Sequence, residues 1–223
     1  SVKLAKMLGT EIISADSMQV YKYMDIGTAK LMKSQMEGVK HHLIDVVYPD
    51  EDFSVALFRD MAGRIIDDLH SRNKIPLVVG GTGLYINSLT HNMDFTETLI
   101  DMEYRRGLQK LAKVKGRAYV HGMLKDIDPL SYERLHENDL KRVIRALEVY
   151  KHTGKTISEY QARSKEKPIE YDVFMIGLIM DRQKLYVKIN NRVDDMIGKG
   201  LVNEVKGLLD MGYDRNLTSM QGL

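Results

Sequence analysis

Apolar residues first recur at helical spacing: Val2, Leu4, Ala5 and Leu8 share one side of a helix, and Gly9 supplies its stop. The pattern then changes. Residues 11–15 are a short apolar run of strand type that ends at Asp16, and residues 41–46 make a weaker strand. Residues 58–69 return to the helical period, with Ile65, Ile66 and Leu69 on one face. Residues 74–79 predict another strand, followed by Gly80-Gly81-Thr82-Gly83 and a helix starting at Leu84. Strands alternating with helices predict a parallel α/β sheet. Ligands of such sheets bind beyond the carboxyl ends of the strands. Asp16 and Thr82 both fall there.

From about residue 101 to residue 167 the pattern is helical throughout. Its clearest element covers residues 139–150, with Asn138 as the expected N-cap and Leu140, Val143, Ile144 and Leu147 as the apolar face. Gly154 closes it. A strand is predicted again over residues 171–179, then a long amphipathic helix from Asp181. The predicted organisation is an α/β core, residues 1–94 and 168–223, interrupted by a helical insertion, residues 95–167.

Composition narrows the classes. The 223 residues contain no cysteine, which excludes disulfides and thiolate metal sites. No apolar run approaches the ~18 residues of a membrane span. Both fit a cytosolic protein. The formal net charge is only +2, but residues 105–167 carry 16 Lys/Arg against 8 Asp/Glu, leaving the remainder net acidic. A basic segment in a mildly acidic chain points to a polyanionic partner; a solvated helical surface is the alternative.

Four sets of residues are candidates for chemistry. Asp16-Ser17-Met18-Gln19 sets a carboxylate and hydrogen-bonding side chains at a strand-to-loop junction, where the acid serves as a proton acceptor or simply shapes a turn. Gly80-Gly81-Thr82-Gly83 lets backbone approach a ligand and offers a hydroxyl and amides at a helix start, or is a plain strand-to-helix turn. Lys141, Arg142 and Arg145 share the polar side of the clearest helix, and stacked cations suit a phosphate backbone. His41 and His42, adjacent on a strand, point to opposite faces and do not chelate together, so a structural role is expected. The fourteen methionines are scattered and are read as core filling.

Beyond these, an ordered series of motifs covers nearly the whole chain. It runs from Ile13-Ser14-Ala15-Asp16-Ser17-Met18-Gln19-Val20-Tyr21 through Met24-Asp25-Ile26-Gly27-Thr28-Ala29-Lys30 to His41-His42-Leu43-Ile44-Asp45. Val78-Val79-Gly80-Gly81-Thr82-Gly83-Leu84-Tyr85 and Asp126-Ile127-Asp128-Pro129 follow. Asn138-Asp139-Leu140-Lys141-Arg142-Val143-Ile144-Arg145-Ala146-Leu147-Glu148 comes next, then Asp181-Arg182, Arg192-Val193-Asp194-Asp195-Met196 and Gly200-Leu201-Val202-Asn203-Glu204-Val205. In order and spacing the series resembles the tRNA dimethylallyltransferase (isopentenyl transferase) family.

The resemblance implies a P-loop NTPase-like core with a helical insertion that grips the anticodon stem-loop of tRNA. It implies transfer of dimethylallyl from dimethylallyl diphosphate to the exocyclic amine of the adenosine 3′ of the anticodon, with Mg2+ as cofactor, by a cytoplasmic monomer with no membrane association. By position, Asp16 resembles the general base. Ser17, Met18 and Gln19 resemble contacts to the target nucleotide, with Thr82 a further contact beside them in the catalytic centre. Arg105 and the helix segment Lys141, Arg142, Val143, Ile144 and Arg145 resemble tRNA contacts, and Arg182 resembles the arginine that faces the diphosphate.

Family members also carry a Gly-rich phosphate loop ending in Gly-Lys-Thr or Gly-Lys-Ser before the first helix. That loop is not among these residues, so the lysine and hydroxyl that meet diphosphate and magnesium have no position here. Taken literally, the 223 residues are expected to be inactive or badly impaired. Three other readings stay open on the motifs alone: an adenylate isopentenyltransferase acting on free nucleotides, a P-loop small-molecule kinase, and a non-catalytic tRNA-binding protein.

Overall fold

The computed structural model describes residues 1–91, 101–166 and 171–222. The chain divides into two compact units, one of Ser1–Thr90 with Tyr171–Leu223 and one of His91–Glu170. The boundaries expected at 94/95 and 167/168 lie outside the described residues.

The first unit is built around three parallel strands in the order β2-β1-β3. Strand β1 (Ile12–Ser14) is central, with all three residues buried, as expected of a parallel strand covered on both faces. It pairs with β2 (His41–His42) through Ile12↔His41 and Ile13↔His42, and with β3 (Leu77–Val79) through Ile12↔Leu77, Ile13↔Val78 and Ser14↔Val79. Helix α1 (Val2–Leu8) ends at Gly9, whose φ of 60° is the left-handed cap. Helix α2 (Val55–Ser71) begins earlier than the apolar period implies, because the Ser54 hydroxyl caps it by accepting from the Leu57 amide at 3.1 Å. Its Phe58, Ala62, Ile66 and Leu69 bury one face, and Phe58 stacks on Tyr85 of α3 (Gly83–Thr90) at 4.1 Å between ring centroids.

The strands are shorter than expected, each for a local reason. Pro76 lacks a backbone donor, so β3 starts only after it. Strand β2 stops at His42 because Leu43 (φ 60°) and Asp45 (φ 57°) turn left-handed. Val46 and Val47 then bond to the Val20 carbonyl rather than to the sheet.

The strand expected over residues 171–179 does not form. The outer edges of β2 and β3 are open, but among the described residues no strand pairs with the segment, so its backbone has no ladder to complete. It runs without regular structure, leaving Phe174, Leu178 and Ile179 exposed. Helix α10 (Arg182–Gly198) follows, N-capped by Asp181, and α11 (Leu201–Asp210) buries Leu208 against Val20, Tyr21 and Met24.

The second unit is helical: α4 (Met102–Lys115), α5 (Arg117–Gly122), α6 (Leu124–Ile127), α7 (Pro129–Arg134), α8 (Leu140–Thr153) and α9 (Ile157–Glu166). Its core gathers Leu108, Ala112, Val120, Leu124, Val143, Ile144, Ala146 and Leu147. The N-cap of α8 is Asp139, one residue after the expected Asn138, and Gly154 (φ 67°) closes the helix. Asp128 caps α7 through the Ser131 amide and also accepts from the Ser158 hydroxyl at 2.7 Å, which ties α9 to the same carboxylate. Among the described residues, no helix is long and apolar enough to cross a membrane.

Candidate active site

The carboxyl ends of β1 and β3 bring two loops together. The Ala15 amide still donates to Val79 at 2.8 Å, so the sheet ladder runs one residue past the strands. Gly80 then lies directly against Ala15; a Cβ there would stand 2.2 Å from the Ala15 carbonyl oxygen, which only glycine avoids. The close approach lets the Thr82 amide donate to the same oxygen at 3.1 Å. The Thr82 hydroxyl accepts from the Ser17 amide at 2.9 Å and reaches the Ser17 hydroxyl at 3.3 Å. Helix α3 starts at once, its Tyr85 and Ile86 amides donating to the Thr82 carbonyl.

Asp16 sits between these contacts and turns its own loop. One carboxylate oxygen, Oδ1, accepts from the Met18 amide at 2.8 Å and the Gln19 amide at 3.2 Å. Its other oxygen has no partner among the described residues. Gln19 donates through Nε2 to the Thr28 carbonyl at 3.2 Å, and its own carbonyl accepts from the Asp45 amide at 3.1 Å. The Met18 side chain lies against Gly222 of a short 3₁₀ turn, Ser219–Gly222. Burial pushes the nearby Tyr85 hydroxyl up to about 12, with the charges of Tyr21 and Asp16 adding to the effect, so it stays protonated.

Asp16, Ser17, Met18, Gln19 and Thr82 therefore form one constellation. Arg182 is placed in the first turn of α10, exposed, where its Nε donates to the Tyr186 hydroxyl at 3.1 Å and its guanidinium carbon stands 5.6 Å from the centre of the same ring. Among the described residues, no hydrogen bond or ion pair links it to the Asp16 constellation.

On the helical unit the basic residues divide into two kinds. Arg105 gives Glu148 a two-pronged contact, Nε at 2.7 Å and Nη2 at 2.8 Å, and Arg145 adds a third bond at 2.6 Å. The Asp101 amide donates to Glu148 as well. Glu148 is completely buried; burial alone would raise its pKa, but the two arginines outweigh that and hold it at about 2. Lys141 and Arg142, in contrast, are exposed on the first turn of α8. Arg134, Arg142 and Arg145 line a cleft of about 140 Å³ whose apolar side includes Leu135, Ala146 and Ile157.

Two expected contact residues need correction. The side chains of Val143 and Ile144 are buried in the helical core and offer no surface to a ligand. They share α8 with the basic residues but lie on its opposite, apolar face. His42 bonds to Glu11 at 2.7 Å, and His41 bonds to the Val39 carbonyl at 2.9 Å.

Among the described residues, no three carboxylates or imidazoles converge on a metal position. The oxygen donors gathered at the site are Asp16, Ser17 and Thr82.

Three parallel strands with Asp16 and Thr82 on neighbouring loops at their carboxyl ends define an α/β protein, and the solved structures it matches give that fold its P-loop-like class. The IPP transferase family model matches residues 19–223, and the chain belongs to that family. It is 54% identical to the tRNA dimethylallyltransferase of Acetivibrio thermocellus over 223 residues, covering 100% of this chain and 71% of that protein. The tRNA dimethylallyltransferase of Carboxydothermus hydrogenoformans is also 54% identical, over 222 residues, covering 100% of this chain and 71% of that protein. Among solved structures, the tRNA isopentenylpyrophosphate transferase of Bacillus halodurans matches with a TM-score of 0.66 and 44% identity, over 99% of this chain and 68% of that one. A eukaryotic dimethylallyltransferase acting on tRNA matches with a TM-score of 0.76 and 30% identity, over 99% of this chain and 54% of that one.

Two features of the site escaped the sequence. Gly80 belonged to a visible glycine run, but its contact with Ala15 depends on the parallel pairing of β1 with β3. The support of Gln19 by Thr28 and Asp45 had no local signal beyond the turn-forming Asp25-Ile26-Gly27.

Proposed function

We propose that the protein transfers a dimethylallyl group from dimethylallyl diphosphate to the exocyclic amine of the adenosine 3′ of the anticodon in tRNA. The observation that carries this reading is the Asp16 carboxylate. It stands at the carboxyl end of the central strand, with Oδ1 pinned by two amides and the second oxygen unpartnered among the described residues.

An adenine amine is a poor nucleophile because its lone pair is delocalised into the ring. As the nitrogen–carbon bond forms, the allylic carbon–oxygen bond breaks and its electron pair leaves with diphosphate. The amine proton passes to Asp16. General-base help of this kind is worth about 10²–10⁴-fold in rate. Magnesium on the diphosphate would neutralise charge on the leaving group. Arg182 is assigned to the same diphosphate, as the family resemblance implies, and its exposure at the start of α10 leaves it accessible to an anion.

Ser17, Met18, Gln19 and Thr82 are assigned to the target nucleotide, which must leave its stack to reach them. The helical unit is assigned to the anticodon stem-loop. There Lys141 and Arg142 carry the phosphate contact, because both are exposed and the Arg142 pair with Asp139 at 3.2 Å lies at the surface, while Arg105 and Arg145 are engaged with the buried Glu148. A tRNA substrate calls for a cytoplasmic enzyme, and one chain supplies both units, so we read it as a monomer.

The test uses the complete gene product, wild type and Asp16→Asn, with dimethylallyl diphosphate, magnesium and either an anticodon stem-loop or AMP. Mass spectrometry of digested nucleosides should find prenyl-adenosine in the stem-loop from wild type and almost none from the variant. Product on AMP but not on the stem-loop would move the assignment to a free-nucleotide enzyme.

A further inference from the structure

Gln19 is held from behind by a loop that is itself held from across the chain. Residues 24–30 form a compact turn: the Thr28 hydroxyl donates to the Met24 carbonyl at 2.5 Å, the Ala29 amide to Ile26 at 3.0 Å and the Lys30 amide to Asp25 at 2.9 Å. Tyr23 (φ 68°) and Ala29 (φ 48°) adopt the left-handed backbone that side chains other than glycine resist. Such a conformation persists only where its surroundings over-determine it.

Two charged groups supply that constraint. Lys30 is nearly buried and donates to the Tyr21 carbonyl at 2.8 Å, Asp25 at 2.8 Å and Asp45 at 2.6 Å. Glu204, on α11, accepts from three consecutive amides: Asp25 at 2.8 Å and Ile26 at 2.7 Å on Oε2, and Gly27 at 3.0 Å on Oε1. The residue after those three amides is Thr28, whose carbonyl takes the Gln19 side chain. Leu208, one turn further along α11, is buried against Val20, Tyr21 and Met24, so the helix that carries Glu204 is docked on the same segment.

We propose that Glu204 is a positioning residue for the target nucleotide, acting through the turn at residues 25–28 to fix the side chain of Gln19. A carbonyl only accepts, so the Thr28 contact decides which end of the Gln19 amide is the donor. It leaves Oε1 and the second Nε2 hydrogen as an acceptor–donor pair. That pair matches the donor and acceptor on the Hoogsteen edge of adenine. Without Glu204 the turn loses its three-amide anchor, and the Gln19 amide becomes free to swing or flip. The proposal rests on Gln19 contacting the target nucleotide.

The experiment measures steady-state prenyl transfer by the complete gene product, varying the stem-loop and the diphosphate separately, for Glu204→Gln, Gln19→Ala and the double variant. Glu204→Gln keeps the side-chain shape but replaces one acceptor oxygen with a donor. It should lower kcat/KM for the stem-loop by about 10–100-fold, the scale of a small misplacement in a site. KM for dimethylallyl diphosphate should stay within about twofold of wild type, and the double variant should match Gln19→Ala within about twofold. Should Glu204→Gln fail to fold by thermal melting, Glu204→Asp replaces it, keeping the charge but drawing it back by one methylene.

If both single variants impair the reaction and their losses multiply, Glu204 does not act through Gln19 and the proposal is overturned. An impaired Gln19→Ala beside an unimpaired Glu204→Gln overturns it as well. If Gln19→Ala alone leaves transfer unchanged, the contact of Gln19 with the nucleotide is what fails, and the proposal fails with it.

Discussion

Strand β1 has a carboxylate near each end, and the two are treated in opposite ways. At the leading end Glu11 is surrounded by three cations, Arg72 at 2.5 Å, Lys74 at 3.4 Å and Lys40 at 3.9 Å, and by the His42 imidazole at 2.7 Å. The Arg72 bond, opposed by burial and reinforced by His42 and Lys74, holds Glu11 at about 2. At the trailing end Asp16 has two amides on one oxygen and, among the described residues, no cation. Five residues along the chain thus separate an acid that fastens the sheet from an acid with one oxygen unpartnered among the described residues. A carboxylate saturated with cations is a poor base, because each bond stabilises its ionised form.

The widest test of that contrast is Asp16→Asn. Asparagine keeps an acceptor oxygen for the Met18 and Gln19 amides, so the thermal midpoint should hold, while turnover falls by about 10²–10⁴-fold. A variant that melts early, or still turns over freely, would erase the distinction between the two ends.

Gly80→Ala attacks the trailing end through the backbone. Its methyl would meet the Ala15 carbonyl, which is main chain and cannot swing aside. A loss of about 3 kcal/mol or more in denaturant unfolding is expected. Transfer per folded molecule should fall as well, because Thr82 is drawn off Ser17.

Glu11→Gln is the complement. It should cost about 2 kcal/mol of stability by weakening charge-assisted bonds at a largely buried position, and leave kcat/KM unchanged in the molecules that remain folded. Chemical unfolding paired with the transfer assay separates the two effects.

Acid sharpens the comparison further. Glu11 has an ordinary value of 4.5 and a folded value of about 2. Its contribution is therefore complete above about pH 4.5 and lost as pH falls toward about 2. Glu148 follows the same sign and window in the helical unit. Stability against pH should drop through that interval in wild type, and less steeply in Glu11→Gln.

Much of the α/β core was legible because it is written in short patterns. Residues 11–15 and 74–79 each centre on β-branched or apolar residues flanked by turn residues, the second shortened to 77–79 in the fold, and parallel pairing then carries Asp16 and Thr82 to the same edge. What was not legible depends on partners remote in sequence. Residues 171–179 look like a strand by composition, yet a strand exists only where a neighbour completes its ladder. The basic character of residues 105–167 was visible, but not that Glu148 sinks into the core and engages Arg105 and Arg145. Val143 and Ile144 lay in both the apolar face and the family's contact motif; packing decided between them. The clamp of Glu204 on residues 25–27 left no trace in either segment alone.

The separation of these partners has a kinetic meaning. The Ser17–Thr82 bond joins positions 65 residues apart, and Glu204 reaches Asp25 across 179. Within the helical unit the Arg105–Glu148 pair spans only 43 residues. Long loops close slowly, since their entropy is lost before the contact rewards it. A chain collapsing from the unfolded state is therefore expected to form its more local helical contacts first and to bring the loops around Asp16 into register late, an order that site-by-site folding kinetics would check. Along that route the chemistry of the protein is the final thing to appear.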